Sequence, residues 1–215
     1  MAAVKPRRTR RSEHAEATRR RVLDAAVGLF VKHGYHSTTI ESIAAAADVS
    51  VETIYKRFGS KAGMLKAARD AAVADAPEPA EFFGFPAPPI EEALRASTDP
   101  QVQLRALAQF SARRLERLAP FHRMLRSAGT GDPELGHYIA ADHAARRERQ
   151  RDNLQTIAAN RPLRLPPAQA ADTYSALANP DMYLLLTDHF GWPAEQYRAW
   201  LADTAARLLL PHGDT

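Results

Sequence analysis

Cysteine is absent from all 215 residues, which excludes a disulfide framework, a thiolate metal site and a cysteine nucleophile, and is compatible with a reducing cytoplasm. Long hydrophobic runs are missing too. The greasiest stretch, Val22 to Val31, contains Asp24 and is far short of a membrane span. The opening MAAVKPRRTRRSEHAEATRRR has arginines with no apolar run behind them and does not read as a signal peptide. A soluble, cytoplasmic chain without a membrane partner is expected. Nucleophile, carboxylate-pair and phosphate-loop patterns are lacking in any context that supports catalysis, so an enzyme is not expected. Metal-ligand spacing is lacking as well. His33 and His36 flank a turn, and His137 and His143 stand six apart on a helix and point to different sides.

What is present is enough apolar material, 45% of the residues, for a packed core of one large or two small domains. The formal net charge of +4 is unevenly spread. Residues 1–75 hold 14 Lys and Arg against 8 Asp and Glu, leaving 15 against 17 for the remainder. Such asymmetry points to a polyanionic partner for the front of the chain and something else for the back.

The segment Gly34 to Lys61, GYHSTTIESIAAAADVSVETIYKRFGSK, explains where that charge would be used. Gly34 can adopt the left-handed conformation that ends a preceding helix. Thr38 and Glu41 have the spacing of a capping box, so a short helix is expected from Thr38, with Ile40, Ile43, Ala44 and Ala47 on one apolar face. A helix this short needs a packing partner. Asp48 occupies the turn, Val49 plugs inward, and Ser50 is an N-cap for a second helix from Val51. Ile54 and Phe58 face in; Val51, Glu52, Thr53, Lys56 and Arg57 remain on the outer faces, with Tyr55 beside them. In a helix-turn-helix, the second helix enters the major groove and its first residues meet base edges.

The rest of the chain reads as helix throughout. Residues 1–11 form a basic arm, either a solubilising tail or an added DNA contact. A first helix from Ser12 or Glu13 buries Val22, Ala26, Leu29 and Phe30 and ends before Gly34. Ser60 caps a fourth helix running to about Ala74, with Lys61 in its first turn. The proline-rich and phenylalanine-rich stretch Asp75 to Pro89 is a connection. Beyond Ile90 no strand-like alternation appears, and breaks fall at Pro100, Pro120, Gly129 to Pro133, Arg161 to Pro167, Asn179-Pro180 and Gly191 to Pro193. Leu104, Leu107, Phe110, Leu115 and Leu118 fit one long helix. Leu135, Tyr138, Ile139, Asp142, Leu154 and Ile157 fit another, whose charged middle, Arg146 to Asp152, is expected to face water. Three final helical segments follow: Ala168 to Ala178, Asp181 to Phe190, and Pro193 to Leu210.

The segment from Gly34 resembles the DNA-binding region of the tetracycline-repressor (TetR) family. Gly34, Tyr35, Thr38, Ile43, Ala44, Ala47, Val49, Ser50, Thr53, Tyr55, Phe58, Ser60 and Lys61 all fall at the family's spacing. Two positions depart from it. Asp48 replaces the usual turn glycine, and aspartate tolerates positive φ well. Glu52 replaces a small residue and can accept from cytosine N4 or repel phosphate.

The resemblance implies an all-α architecture of four parts: an arm at 1–11, a helix-turn-helix domain at 12–59, a connecting helix at 60–75, and a helical ligand-binding and dimerisation domain at 76–215. It implies a sequence-specific transcriptional regulator, a ligand-responsive repressor that binds a pseudo-palindromic operator in double-stranded DNA as a homodimer. The DNA-facing residues would be Thr38, Thr39, Ser50, Val51, Glu52, Thr53, Tyr55, Lys56, Arg57 and Lys61, with Thr38, Tyr55 and Lys61 holding phosphate. Tyr55 is alternatively a structural aromatic. No cofactor is implied, only a small-molecule effector. Phe110, His122, Met124, Tyr138, His143 and Tyr174 are bulky or polar-tipped candidates for its pocket, and core packing is the alternative for each. Tyr183, Leu184, Tyr197, Trp200, Leu201, Thr204 and Leu208 would form the dimer interface, or else pack into their own chain. The rival reading is a basic architectural protein that coats DNA without sequence preference or ligand.

Overall fold

Gly34, with φ 79° and ψ 165°, breaks the first helix, α1 (Arg10–Ser37), and redirects the chain into the reading motif. The structure, a computed structural model, describes residues 10–74, 90–128 and 132–211. The basic arm before residue 10, the connection at 75–89 and the break at 129–131 lie outside the described residues. After α1 come α2 (Ile40–Ala47), α3 (Val51–Phe58), α4 (Lys61–Ala74), α5 (Ile90–Arg95), α6 (Pro100–Ala128), α7 (Pro133–Ala158), α8 (Pro167–Leu177), α9 (Pro180–Leu184) and α10 (Ala194–Leu209). No strand occurs among the described residues. Between α9 and α10 the helix widens over Leu185–His189, and the Phe190 N–H donates to Leu185 O, five residues back, at 3.1 Å.

Two apolar cores organise these helices. In the first, Val22, Ala26 and Phe30 of α1 meet Ile43 and Ala47 of α2, Ile54 of α3, and Met64 and Leu65 of α4. The same core takes in Phe121, Met124 and Leu125 of α6 and Leu135 of α7. The second gathers Leu94 of α5, Leu104, Leu107 and Leu115 of α6, Leu154 and Ile157 of α7, Tyr174 of α8, and Tyr197, Leu201 and Leu209 of α10. Each fully buried side chain of this size is worth roughly 1.5–3 kcal/mol against exposure. The long helices α6 and α7 thus serve both cores, each with a different end.

Two expectations fail here. Pro120 does not break the chain but lies inside α6, near where its buried face passes from one core to the other. Missing only one donor, the helix continues because both flanking stretches are anchored by packing. Helix α2 begins at Ile40 rather than Thr38. Thr39 is its N-cap, accepting from the Ser42 N–H at 3.1 Å while Ser42 Oγ accepts from the Thr39 N–H at 3.2 Å. The capping box therefore uses Thr39 and Ser42, one residue later than the Thr38–Glu41 pairing, and Glu41 is exposed.

Candidate nucleic-acid interface and effector cavity

The reading motif is fixed by caps at every corner. Asp48 sits at φ 52°, ψ 57°, the left-handed conformation that ends α2, and its N–H returns to the α2 carbonyls. Ser50 caps α3 through the Thr53 N–H at 3.3 Å. Ser60 Oγ accepts from the Gly63 N–H at 2.8 Å to start α4 and donates to Glu134 Oε2 at 2.7 Å. At Gly63 a Cβ would fall 2.1 Å from Phe58 O, so only glycine lets α4 leave α3 this closely.

Ile54 pins α3 to the core at 1% exposure, and the opposite face is open. Glu52, Thr53, Tyr55, Lys56 and Arg57 are exposed and Val51 half-buried. At the first turn of α3, the backbone amide of Glu52 and the Ser50 hydroxyl hold the Glu52 carboxyl below the usual carboxylate range. The front of this face is thus anionic and its last turn, with Lys56 and Arg57, cationic.

Two residues expected on phosphate are engaged elsewhere. Thr38 is buried at 2% exposure and its hydroxyl donates to Gly34 O at 2.8 Å, satisfying a carbonyl that the break in α1 orphans. Lys61 is likewise committed. Its Nζ donates to Tyr35 O at 2.9 Å, Thr38 O at 3.0 Å and His36 O at 3.4 Å, above the Tyr35 ring at 4.4 Å. An ammonium has three donors, so in this conformation none is left for DNA. Burial pushes the Lys61 pKa down, opposed by Asp132.

The six candidate pocket residues divide. Phe110 and His122 line a cavity of about 390 Å³, while His122, Tyr138 and His143 line a neighbouring one of about 360 Å³. Met124 packs in the first core instead. Tyr174 is fully buried in the second core and donates to Ser111 Oγ at 3.0 Å, so it too is core rather than cavity wall. Burial first, then the guanidinium groups of Arg146 and Arg69, push the His122 pKa down to about 3, so its imidazole is neutral near pH 7.

The charged middle of α7 does not simply face water. Asp142, Arg146 and Gln150 recur every four residues with Leu154, and Asp142, Arg146, Arg149 and Gln150 line the larger cavity. Asp142 accepts from Arg69 of α4 at 2.5 Å and from Arg146 at 2.6 Å. Burial alone would raise its pKa, but these two guanidinium groups hold the carboxyl below its ordinary value. Arg69 also donates to Tyr138 Oη at 3.0 Å, tying α4 to α7 twice. Sequence reasoning missed Arg69, Arg114, Arg146 and Arg149. One signal was available: Arg114 falls on the apolar stripe of α6 among Leu107, Ser111, Leu115 and Leu118, where a charge needs a reason.

The dimer candidates also divide. Tyr183, Leu184, Tyr197 and Leu201 are buried in their own chain's second core, Tyr197 donating to Leu177 O at 2.9 Å, and are corrected to core residues. Trp200 and Thr204 are half-buried and Leu208 is exposed.

The geometry is that of a helix-turn-helix DNA-binding domain carried on a helical body. Residues 22–68 match the sequence model of bacterial regulatory proteins of the tetR family. Residues 22–68 thus carry the DNA-binding domain of the TetR family. Over 50 residues it is 48% identical to the uncharacterized HTH-type transcriptional regulator YvkB of Bacillus subtilis, covering 23% of this chain and 26% of that one. Over 57 residues it is 39% identical to the HTH-type transcriptional repressor KstR of Mycolicibacterium smegmatis, covering 26% and 28%. The matches thus span about a quarter of the length of these curated relatives. Similarity of fold extends much further. NalD, the secondary repressor of the MexAB-OprM multidrug efflux pump in Pseudomonas aeruginosa, aligns over 94% of this chain and all of its own, with TM-score 0.63 and 22% identity. The SmeT–triclosan complex aligns over 92% of this chain and 93% of its own, with TM-score 0.66 and 20% identity.

Proposed function

We propose that the protein is a cytoplasmic, homodimeric repressor that reads an inverted-repeat operator with α3 and lets go when a small molecule enters the cavity between α4, α6 and α7. The outward face of α3 carries the proposal: Lys56 and Arg57 are exposed and make no hydrogen bond or ion pair among the described residues, and Thr53 is exposed with its hydroxyl on Ser50 Oγ at 3.0 Å, while Ile54 anchors the helix against α1, α2 and α4. Lys56 and Arg57 serve as donors to guanine O6 and N7 or to phosphate, and Glu52 as an acceptor from cytosine N4. Thr39, Ser50, Val51 and Tyr55 complete the DNA-facing set; Thr38 and Lys61 support it from beneath.

One reading helix is short, so specificity comes from two copies reading half-sites about one DNA turn apart. Exposed apolar side chains near the C-terminal end, Leu185, Phe190 and Leu208, support pairing through this end of the body.

The ion pairs of Arg69 supply the coupling. Helix α4 is attached to the reading motif through Ser60 and Lys61 and to the cavity wall through Asp142 and Tyr138. A ligand that binds one spacing of the two heads better than the other biases DNA affinity by its differential affinity.

The test is selection of bound fragments from a random duplex library at physiological salt. An inverted repeat is expected, and Lys56→Ala then changes preference at one base position of each half-site. Enrichment without a common motif, with steep salt dependence, would favour the architectural reading instead.

A further inference from the structure

We propose that the larger cavity binds an organic anion with an apolar body, its charged group held between Arg114 of α6 and Arg149 of α7. This rests on the reading of that cavity as the effector site.

Five arginines line the cavity, Arg69, Arg95, Arg114, Arg146 and Arg149, against only three carboxylates. The carboxylate of Asp142 is already shared, at 2.5 Å from Arg69 and 2.6 Å from Arg146. Among the described residues, neither Arg114 nor Arg149 forms a hydrogen bond or an ion pair with a carboxylate. Arg114 is half-buried; Arg149 keeps more contact with solvent. Burial is the largest cause lowering the proton affinity of both; at Arg114 the charges of Arg149 and Arg69 add to it, at Arg149 those of Arg146 and Arg69 do, and Asp142 opposes the loss at each. Two like charges held together in a partly desolvated site cost free energy that an anion would recover.

A second feature marks the same cavity as a place that meets a polar ligand atom, here a donor away from the anionic group. Gln150, buried at 8% exposure, lines the same cavity with an Oε1 that has no hydrogen-bond partner. A buried amide oxygen left open costs free energy until a ligand hydroxyl or N–H donates to it. Part of the wall is apolar, formed by Ile90, Leu94, Phe110, Leu115, Leu118 and Ala178. Planar guanidinium forks suit the paired oxygens of a carboxylate or a phosphate ester, and the apolar walls suit a hydrocarbon portion.

The experiment measures calorimetric binding of four eight-carbon probes, octanoate, octyl phosphate, octylammonium and octanol, to the full chain and to an Arg114→Gln/Arg149→Gln double variant. Circular dichroism confirms that the double variant is folded. At least tenfold tighter binding of octanoate or octyl phosphate than of octanol is expected, with that advantage lost in the double variant. Which of the two anions binds tighter distinguishes a carboxylate from a phosphate ester. The proposal is overturned if octanol or octylammonium binds as tightly as the anions, if the anionic advantage survives in the double variant, or if none of the four binds. Tight binding by octanol or octylammonium alone would leave the effector reading standing and remove only its anionic chemistry.

Discussion

The reading head and the body use polar groups in opposite ways. In the head, Thr38, Thr39, Ser50, Ser60 and Lys61 all bond to backbone and hold three short helices that could not stand alone. In the body, Arg69, Asp142, Arg146 and Gln150 gather around a cavity, and Arg114 and Arg149 have no carboxylate partner there among the described residues. A scaffold that must present one fixed face leaves no buried polar side-chain atom of α1 to α3 open among the described residues. A site that must respond to another molecule leaves some.

The largest effect that would break this contrast lies in the body. Asp142→Asn removes the carboxylate from between two guanidinium groups and should cost about 3 kcal/mol, because both cations stay desolvated. Thermal unfolding checks it; an unchanged midpoint would mean that the ion pairs are not what holds α4 to α7. Asp172→Asn, at the exposed bidentate partner of Arg147, should leave the midpoint unmoved and serves as the control.

In the head, Gly63→Ala pushes a Cβ into the Phe58 carbonyl, a backbone group that cannot turn aside, and should cost about 2–3 kcal/mol. Operator binding should fall with it as α4 is displaced from α3. If the variant is as stable as the parent, the close approach of these helices is not required.

Acidification sharpens the comparison, because the perturbed histidine is in the body. The His122 pKa is depressed to about 3 from its ordinary value of 6.5, so between these values the unfolded chain binds the extra proton and stability falls with falling pH. Burial sets this first, with Arg146, Arg69 and Arg114 adding to it and Asp142 opposing. From pH 7 to pH 5 the loss should be about 1–2 kcal/mol, and a His122→Gln variant should show a shallower decline in denaturant titrations. The smallest change is Thr39→Ala, which removes the cap of α2 at about 1 kcal/mol. Thr38→Val at the buried neighbour separates cap from core if it costs stability without altering DNA specificity.

Much of the head was legible because its determinants are local. Asp48 at positive φ, the Ser50 and Ser60 caps, and the inward set of Ile43, Ala47 and Ile54 all follow from spacing and intrinsic preference. The shift of the cap from Thr38 to Thr39 shows the limit of that reasoning. Adjacent threonines are equivalent to a capping rule, and what distinguishes them is the carbonyl of Gly34, which only the folded turn brings to Thr38. The bonds of Lys61 were out of reach for the same reason: its three acceptors lie 23 to 26 residues earlier in the chain. Tyr197 and Leu201 formed a visible apolar stripe, but periodicity identifies a buried face without saying whether its own chain or a second copy covers it.

The sequence by itself determined the helical content, the helix-turn-helix and the outward set on α3, since these depend on residues within a few turns of one another. The tertiary structure decided which polar side chains are consumed by the fold and which remain around the cavity. The distances that settle this, Arg69 to Asp142 and Ser60 to Glu134 among them, join residues more than 70 positions apart, and a charge is structural or open only according to what the fold sets beside it.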